Sequence, residues 1–450
     1  MGKFVINGRR VVSGTHRVAG NKNAALPMIA ASLLTSDPVT LENLPDIADV
    51  ECMLECAEKF GAEVERDRAA HSVTIRAHKL RTARLDPALA ARIRTSVLFA
   101  GPLLARKGKV SLPPPGGDGI GHRRLDTHLE GLAALGARVK SSNRRMLLRA
   151  GRNGFPHLKG ADIVLDEASV TATENIVMAA SLANGDTTIY NAACEPHVQD
   201  LCMMLNGMGA RILGAGTNRI VVHGVERLHG TSARIGSDII EAASYLVAAA
   251  VTGGELLLED VDVERFGMLA GPLGRFGLRW TVDAGRRTVL LPARQRLRMR
   301  YDFGDAIPSV ADGPWPMFPS DLMSVLIVLA TQTRGTCLFH EKMFESRLYF
   351  IDHLVQMGAK IVLCDPHRAV VTGPSTLRGT TVTSPDIRAG IALILAALCA
   401  KGTTSILNAE SVDRGYAAVE RELGALGADV KRVAGDAADG RADARCGANR

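Results

Sequence analysis

The stretch Phe60-Gly61-Ala62-Glu63-Val64 closes an amphipathic helix and opens a strand, and the same pattern returns five more times along the chain. Glycine suits the left-handed position just past a helix end, and the β-branched or aromatic residue that follows favours a strand. The six glycines are 68 to 81 residues apart, which indicates a structural repeat. The other five copies are Leu135-Gly136-Ala137, Met208-Gly209-Ala210, Phe276-Gly277-Leu278, Met357-Gly358-Ala359 and Leu426-Gly427-Ala428.

A second recurring feature lies about 40 residues before each of these glycines. It is an alanine-rich helix that is apolar on nearly all sides, followed by a polar turn and a β-rich strand. Because a helix without a polar face belongs in a core, we expect these helices to be buried. Examples are Asn23–Leu34 with Val39–Leu41, Glu174–Leu182 with Thr187–Tyr190, and Arg388–Ala400 with Thr403–Leu407. The predicted order of elements in each unit is therefore a buried helix, a strand, a linker, an amphipathic helix and a second strand.

Six such units predict an α/β protein with two domains of three units each. A length of 450 residues fits this, since it is too long for one ordinary core. We place the first domain at residues 21–232, with a glycine-rich loop at 113–123, and the second at residues 1–20 together with 233–433. Residues 434–450 lack hydrophobic periodicity and are predicted to form a disordered tail.

The composition is that of a folded soluble protein, with 46% apolar and 22% charged residues. The N-terminus lacks the apolar core of a signal peptide, and the longest apolar runs are too short to span a bilayer, so we expect a cytoplasmic protein without a membrane partner. The eight cysteines are scattered singly and form no zinc pattern. The net charge of +7 is spread over dispersed arginines, and no helix-turn-helix or RNA-binding signature is present. Anionic small substrates are therefore expected rather than nucleic acid.

Polar residues gather at two places in the repeat, the start of the buried helix and the loop after its strand. Helix N-termini present free N–H groups and positive potential, which favour anions. If the repeat symmetry directs these ends into one interdomain cleft, the cleft becomes an anion site lined with arginines. The residues concerned are Lys22, Asn23, Arg94, Ser169, Glu174, Asp238, Glu241, Asp321, Asp386 and Arg388 at the first place, and Asp49, Asp118, Arg123, Glu195, Glu345, Arg347, Asp413 and Arg414 at the second.

Five motifs in order, in register with the repeats, resemble one family. They are Asn21-Lys22-Asn23-Ala24-Ala25-Leu26-Pro27, Gly116-Gly117-Asp118-Gly119-Ile120-Gly121, Phe318-Pro319-Ser320-Asp321, Phe344-Glu345-Ser346-Arg347 and Asp413-Arg414-Gly415-Tyr416. This set is similar to the UDP-N-acetylglucosamine 1-carboxyvinyltransferase family, and the resemblance runs from about residue 14 to 433. It implies two inside-out α/β barrels of three βαβαββ units each, which close over the substrates.

The resemblance also implies roles for the donor, phosphoenolpyruvate, whose phosphate and carboxylate call for several permanent cations. Lys22, Arg123 and Arg414 would hold the phosphate, and Arg347 with Arg388 the carboxylate. Asp321 matches the residue beside the acceptor hydroxyl and is the candidate base, although a helix N-cap would also explain it. Further residues implied by the motifs are Phe344, as part of the binding site, and Asp386, which would assist proton transfer and anchor Arg388.

Asp118 departs from the family pattern, in which most members have cysteine on a mobile loop that closes over the site and a minority have aspartate. A carboxyl group can donate a proton if desolvation raises its pKa, although nearby cations act in the opposite direction. The thiol nucleophile is absent, so neither a covalent phosphoenolpyruvate adduct nor alkylation by the epoxide antibiotic fosfomycin is expected at this position.

On the acceptor side, Asn23, Arg94, Asp126 and Ser169 match positions that touch the nucleotide sugar. Several neighbours depart from the family: its usual Arg-Pro is Arg123-Arg124, its Ser-Val-Gly is Ser169-Val170-Thr171, its Asp-Arg-Ile-Glu is Asp238-Ile239-Ile240-Glu241, and its Ala-Arg-Glu-Pro is Ala193-Cys194-Glu195-Pro196. A family member acting on another nucleotide, such as UMP, is therefore an open alternative.

Two further alternatives are a 5-enolpyruvylshikimate-3-phosphate synthase, which shares fold and donor, and a non-catalytic repeat protein. No dinucleotide or Walker motif is present, and the arginines already neutralise the anions, so neither a cofactor nor a metal is expected. The sequence does not fix the oligomeric state, and a monomer is the default expectation.

Overall fold

The computed structural model describes residues 2–121, 123–142, 145–151 and 157–434. The predicted tail therefore lies outside the described residues except for Ala434, and the predicted loop at 113–123 is described except for position 122. Within the described residues, no helix is both long and apolar enough to cross a membrane.

Six helices are almost completely buried and form the centre of the molecule. The segment Ile387–Cys399 shows why, because alanine, leucine and isoleucine surround it on every side and leave no face for water. The six are Lys22–Ala31, Ala100–Lys107, Val170–Ala180, Ile239–Thr252, Met323–Gln332 and Ile387–Cys399. Three of these match the predicted examples to within a few residues at each end; the largest difference is at the second example, which starts at Val170 rather than Glu174.

The outer helices follow the buried ones and end at the repeated glycines. All six glycines have φ between +88° and +107°, which confirms the predicted left-handed helix ends. The outer helices are Ala48–Phe60, Asp126–Ala134, Pro196–Gly207, Val263–Gly267 with Ala270–Gly274, Ile351–Gln356, and Glu410–Asp413 with Val419–Ala425, and a short additional helix is Pro87–Arg92.

In the fourth copy the aromatic residue after the glycine, Trp280, was expected to start a strand, and the strand begins one residue later, at Thr281. The Arg279 backbone N–H donates to the Gln295 side chain at 2.9 Å and not to a neighbouring strand. In the other five copies the strand begins within two residues of the glycine.

Each unit has its own small sheet of antiparallel strands, and in every sheet but the second, one further strand pairs parallel at the edge. In the first and fourth sheets that parallel strand is distant in sequence from the unit: Thr231–Arg234 pairs with Val39–Glu42, and Gly14–Arg17 pairs with Leu256–Glu259. In the first half, the strands in spatial order are, for the first sheet, Thr231–Arg234, Val39–Glu42, Ser72–Arg76 and Glu63–Asp67; for the second, Lys109–Leu112, Arg145–Arg149 and Arg138–Ser142; and for the third, Asp162–Val164, Asp186–Tyr190, Arg219–His223 and Arg211–Leu213. In the second half they are, for the fourth sheet, Gly14–Arg17, Leu256–Glu259, Thr288–Leu291 and Thr281–Asp283; for the fifth, Ser309–Ala311, Gly335–His340, Arg368–Gly373 and Lys360–Asp365; and for the sixth, Thr381–Thr383, Thr403–Leu407, Lys3–Asn7 and Asp429–Val433. In the second sheet the first strand is reduced to a single parallel bridge between Arg84 and Ser111.

The buried apolar residues form two clusters, one drawn from residues 24–235 and one from residues 4–18 and 239–428. Together with the sheets they give a two-domain α/β architecture. The strand Thr231–Arg234 pairs along its whole length with Val39–Glu42, and Ile235 packs into the first cluster. We therefore propose the two predicted domains with their boundary moved from residue 232 to just after residue 235.

Alanine substitutions at two equivalent glycines test the helix ends. A Cβ at Gly136 meets no atom within 4 Å, whereas at Gly61 it would lie 2.8 Å from the Lys79 carbonyl oxygen. Gly136→Ala should lower the free energy of unfolding by about 1–2 kcal/mol, the cost of a left-handed L-residue. Gly61→Ala should cost at least about 1 kcal/mol more, because of the added steric conflict. Urea unfolding of both variants measures the difference, and equal losses would contradict this account.

Candidate functional site

A cavity of about 560 Å³ lies between the two halves, and its wall includes residues from the start of every buried helix or of the short turn that leads into it. These are Lys22, Arg94, Ser169, Ile239, Asp321 and Arg388. The convergence expected from the repeat pattern is therefore present. Other predicted residues in the wall are Asn23, Asp118, Arg123, Phe344, Arg347 and Arg414.

One side of the cavity holds a chain of alternating charges. Lys22 Nζ lies 2.6 Å from Asp49 Oδ2, and Arg414 Nε donates to Asp49 Oδ1 at 2.9 Å. Arg414 also donates through Nη1 to Asp118. Burial lowers the pKa of Lys22, and so do the positive charges of Arg388 and Arg414. The negative charge of Asp49 acts in the opposite direction. These four residues link the glycine-rich loop to both halves of the molecule.

Asp321 is the centre of a second charged group. Its Oδ1 accepts from Arg347 Nη2 at 2.9 Å and its Oδ2 from Arg388 Nη2 at 2.7 Å. Burial alone would raise the pKa of Asp321, but the guanidinium groups of Arg388 and Arg347 outweigh it and hold that pKa well below its usual range. Asn23 Nδ2 approaches the same carboxylate at 3.5 Å. In the absence of a ligand, Asp321 is therefore a carboxylate fully engaged by cations.

Aromatic and backbone contacts hold the remaining arginines. The guanidinium carbons of Arg347 and Arg123 lie 5.2 Å and 5.8 Å from the centre of the Phe344 ring, within cation–π range. Arg94 donates to the carbonyl oxygens of Arg123 and Arg124, and burial lowers the pKa of Arg94 to about 10.

The glycine-rich loop is closed against the second half of the molecule. The Ser346 N–H donates to the Ile120 carbonyl oxygen at 3.1 Å. Gly121 is required at this contact, because a Cβ there would lie 2.1 Å from Glu345 Oε2 and its φ is +131°. The loop therefore covers the cavity in this conformation.

Two predicted site residues do not line the cavity. Asp126 lies at the start of an outer helix, where it is partly exposed and pairs with Arg124 Nε at 2.6 Å. Asp386 caps its helix by accepting from the backbone N–H groups of Arg388 and Ala389 at 2.8 and 3.0 Å. Asp386 therefore anchors the backbone of Arg388, whereas the guanidinium group is held by Asp321. Burial raises the pKa of Asp386.

Several cavity residues were not assigned a role from the sequence. Asp49 joins Lys22 to Arg414, but the sequence indicated it only as one member of the polar pattern. The signal that could have identified it is its place in the first turn of a helix, where its side chain is buried. His197 and Arg265 also line the cavity, but neither belongs to a motif. Arg265 forms a bidentate pair with Asp200 at 3.0 and 2.6 Å. That pair joins the two halves beside the chain segment that connects them.

The arrangement suits a small dianion or trianion. Five cationic side chains (Lys22, Arg123, Arg347, Arg388 and Arg414) converge on one cavity, and carboxylates that a ligand could displace hold four of them. In the described part of the chain, no group of three or more histidine, cysteine or acidic residues is arranged to hold a metal ion.

Comparison with known proteins identifies relatives along nearly the whole chain. Residues 6–423 match the family model of EPSP synthase (3-phosphoshikimate 1-carboxyvinyltransferase). The chain is 50% identical over 430 residues to UDP-N-acetylglucosamine 1-carboxyvinyltransferase of Treponema pallidum (strain Nichols), covering 96% of this chain and 99% of the relative. It is also 50% identical over 431 residues to the enzyme of that name from Bradyrhizobium diazoefficiens, covering 96% and 98%.

Two solved structures share the fold. The enolpyruvyl transferase NikO from Streptomyces tendae aligns with a TM-score of 0.84 at 25% identity, covering 96% of this chain and 98% of that one. EPSP synthase from Acinetobacter baumannii aligns with a TM-score of 0.73 at 18% identity, covering 96% and 100%. With half of its residues shared with such relatives over nearly its full length, the chain belongs to the UDP-N-acetylglucosamine 1-carboxyvinyltransferase family and is an enolpyruvyl transferase.

Proposed function

We propose that the protein transfers the enolpyruvyl group of phosphoenolpyruvate to the 3-hydroxyl of UDP-N-acetylglucosamine and releases phosphate. The observation that carries this is the cluster of cations in a closed interdomain cavity, in a chain that is 50% identical to enzymes of that name. The UMP alternative is not favoured, because the relatives that are about 50% identical over nearly the full length carry the name of the nucleotide-sugar enzyme. The same comparison disfavours a shikimate-phosphate acceptor.

Phosphoenolpyruvate binding would exchange protein carboxylates for substrate anions. Its phosphate would bind to Lys22, Arg123 and Arg414, and its carboxylate would bind to Arg347 and Arg388. The substrate contacts of Lys22, Arg347, Arg388 and Arg414 would replace, or add to, the pairings that these cations make with Asp49, Asp118 or Asp321. Charge-assisted contacts to arginine are strong and directional, which favours a planar carboxylate and a tetrahedral phosphate in fixed positions.

This exchange would activate Asp321 as a base. The two guanidinium groups lower its pKa, and a substrate carboxylate placed between them would offset their charge. The pKa of Asp321 would then rise, and its carboxylate could accept the proton of the acceptor hydroxyl. The acceptor oxygen attacks C2 of phosphoenolpyruvate while C3 receives a proton. Loss of phosphate and of a proton from C3 then gives the enol ether.

Asp118 would act from the loop as the proton-donating group at C3, assisted by the adjacent Lys22–Asp49–Arg414 chain. Its contact with Arg414 places its carboxyl group beside the proposed phosphate position. Asp386 would contribute by holding the backbone that carries Arg388 and not by touching substrate.

The acceptor would lie against Asn23, Arg94 and Ser169, which line the cavity. The reaction would serve peptidoglycan precursor synthesis in the cytoplasm. We retain a monomer as the proposed assembly.

Release of inorganic phosphate tests the proposed function. Phosphoenolpyruvate with UDP-N-acetylglucosamine should give stoichiometric phosphate and an enolpyruvyl product, whereas UMP or shikimate 3-phosphate should give at least about 100-fold less, as expected for a site that loses several polar contacts. Phosphate release assays with each acceptor, confirmed by mass spectrometry of the product, measure this. Equal or greater turnover with UMP would overturn the assignment of the acceptor.

Asp321→Asn should reduce kcat by a factor on the order of 10² to 10⁴, because it removes the base but keeps the size of the side chain. The matched control is Asp365→Asn, which also breaks an aspartate–arginine pair (2.7 Å to Arg368) but lies on the surface outside the cavity. Steady-state rates and melting temperatures of both variants should be compared. Retention of full activity in Asp321→Asn would exclude Asp321 as the base.

Asp118→Cys should create a site for fosfomycin, because a thiolate among cations is a strong nucleophile and a carboxylate is not alkylated there. Incubation followed by peptide mass spectrometry should find the adduct on residue 118 in the variant only. Mapping by peptide is needed because the chain has eight other cysteines, including the exposed Cys364. An adduct on Asp118 of the native protein would contradict the prediction.

A further inference from the structure

Two acidic residues are buried side by side behind the cavity wall, at the ends of two parallel strands. Asp312 follows the strand Ser309–Ala311, and Glu341 follows the strand Gly335–His340. These strands pair in parallel up to their last residues, so the next residue of each lies at the same edge of the sheet. Both acidic residues are 0% exposed, and neither is part of the cavity lining. The pair therefore lies behind the wall and does not touch a substrate.

Glu341 is the common acceptor for two segments of that wall. Ser320 Oγ donates to its carboxyl oxygens at 3.0 and 3.1 Å. The backbone N–H groups of Met343 and Phe344 both donate to Oε1, each at 3.1 Å. Ser320 directly precedes the proposed base Asp321, and Phe344 opens the Phe-Glu-Ser-Arg motif. One side chain thus holds the backbone on either side of the proposed donor site.

Asp312 anchors a third segment. It leads into residues 313–317, which contribute to the cavity wall, and its Oδ1 accepts from the backbone N–H of Lys342. Its Oδ2 is buried, and no donor among the described residues reaches it. The group that contacts Asp312 from the neighbouring strand is the Glu341 carboxyl group, and the two side chains are hydrogen-bonded to each other.

A hydrogen bond between two carboxyl groups requires a proton, because a carboxylate has none to donate. Two buried carboxylates in contact would also repel each other. Burial, followed by the contact with Asp312, raises the pKa of Glu341 to about 9, so the pair holds one proton near pH 7. The positive charge of Arg347 acts in the opposite direction, but its guanidinium group is engaged by Asp321. The shared proton gives Asp312 Oδ2 the partner that it otherwise lacks.

Titratable residues on the surrounding elements contact the pair through backbone atoms. His367 Nδ1 lies 2.7 Å from the Glu341 carbonyl oxygen. The His340 carbonyl oxygen accepts from the Asp312 N–H at 3.3 Å. Lys342 contributes its backbone N–H and lines the cavity. These contacts fix the backbone around the pair and leave the proton between the two carboxyl groups.

We propose that Asp312 and Glu341 share one proton and act as positioning residues that hold three segments of the cavity wall together. These segments carry the base Asp321, the donor-binding Arg347 and residues 313–317. The inference rests on the proposed function, which gives Asp321 and Arg347 those roles. Loss of the shared proton leaves two adjacent negative charges, which push the segments apart.

Glu341→Gln and Glu341→Met separate the hydrogen bonds of this side chain from its volume. The glutamine amide can donate to Asp312 and accept from the backbone without a titratable proton, so kcat and the KM for phosphoenolpyruvate should stay within about threefold of the native values at pH 7. Methionine fills a similar volume without these contacts. Its kcat/KM should fall about 10- to 100-fold, because a small displacement of Asp321 and Arg347 is enough to slow the reaction.

The pH dependence of unfolding measures the shared proton without reference to activity. The pKa of Glu341 is about 9 in the folded protein, against an ordinary value of 4.5. Between these values the folded protein holds a proton that the unfolded chain has released, so stability falls as pH rises. The unfolding equilibrium constant of the native protein divided by that of Glu341→Gln should therefore rise about 50- to 100-fold from pH 6 to pH 8. Urea unfolding at each pH measures this ratio.

Asp365→Asn is the matched control, because it also replaces an acidic side chain by its amide, on the same sheet. The hydrogen bond from Arg368 lowers the pKa of Asp365 from its ordinary value of 3.8, so this residue releases its proton well below pH 6 in both states. The same ratio for Asp365→Asn should therefore not change from pH 6 to pH 8. An equally constant ratio for Glu341→Gln would overturn the shared proton.

The outcomes separate this inference from the proposed function. If the native protein does not turn over UDP-N-acetylglucosamine, the proposed function fails, while the unfolding ratio still supports or overturns the shared proton. If the native protein is active and Glu341→Gln loses as much activity as Glu341→Met, the positioning role alone is overturned. Melting temperatures show whether Glu341→Met folds. If it does not, Asp312→Ala and Asp312→Asn replace the two variants, and Asp312→Asn should be the more active.

Discussion

Lys22, Arg347 and Arg388 are cations with side chains almost out of contact with water, and the rest of the site depends on how their charge is balanced. An unpaired buried charge costs several kcal/mol, on the order of the whole net stability of a domain. Asp49 and Asp321 supply the balancing charges, and each contacts two cations. The cavity is therefore closed without isolated buried charges at these positions. An incoming anion competes with those carboxylates for the same cations.

The repeat explains how such a site can form. In each unit the body of the buried helix lies in the core and is therefore apolar. Polar side chains are confined to its first turn or to the residues that lead into it. The six starts meet at one cavity, where helix N-termini add positive potential to that of the side chains. Stability and anion binding thus come from the two ends of the same elements: apolar bodies build the cores, and polar N-termini build the cavity.

Closure joins the two halves through contacts that belong to the site itself. The loop touches the second half through Ile120 and through Asp118, which contacts Arg414. Trp315 donates its backbone N–H to Glu195 across the cavity at 3.2 Å. Because these contacts are made by residues that line the cavity, occupation of the cavity and the relative position of the halves are physically coupled.

The sequence by itself determined the repeat, the buried helices and most of the cavity wall. The glycines at helix ends were readable because only a residue without a side chain accepts a left-handed φ at low cost, as at Gly61 and Gly136. In the fourth unit the aromatic Trp280 marked the following strand to within one residue of its start at Thr281. The motif residues were readable because donor chemistry demands particular cations at helix starts.

Only the tertiary structure decided which charges meet. Asp126 and Asp386 carry the same chemistry as Asp321, but one faces outward and the other is used by its own helix. Asp49 and Lys22 come from different helices, and Asp49 meets Arg414 from the other half of the molecule. His128 likewise contacts Thr171 and Asn175 from a neighbouring helix. Pairing between separate elements depends on distances in space that a pattern along the chain does not contain. The sequence therefore identifies the charged groups, and the tertiary structure determines which of them pair.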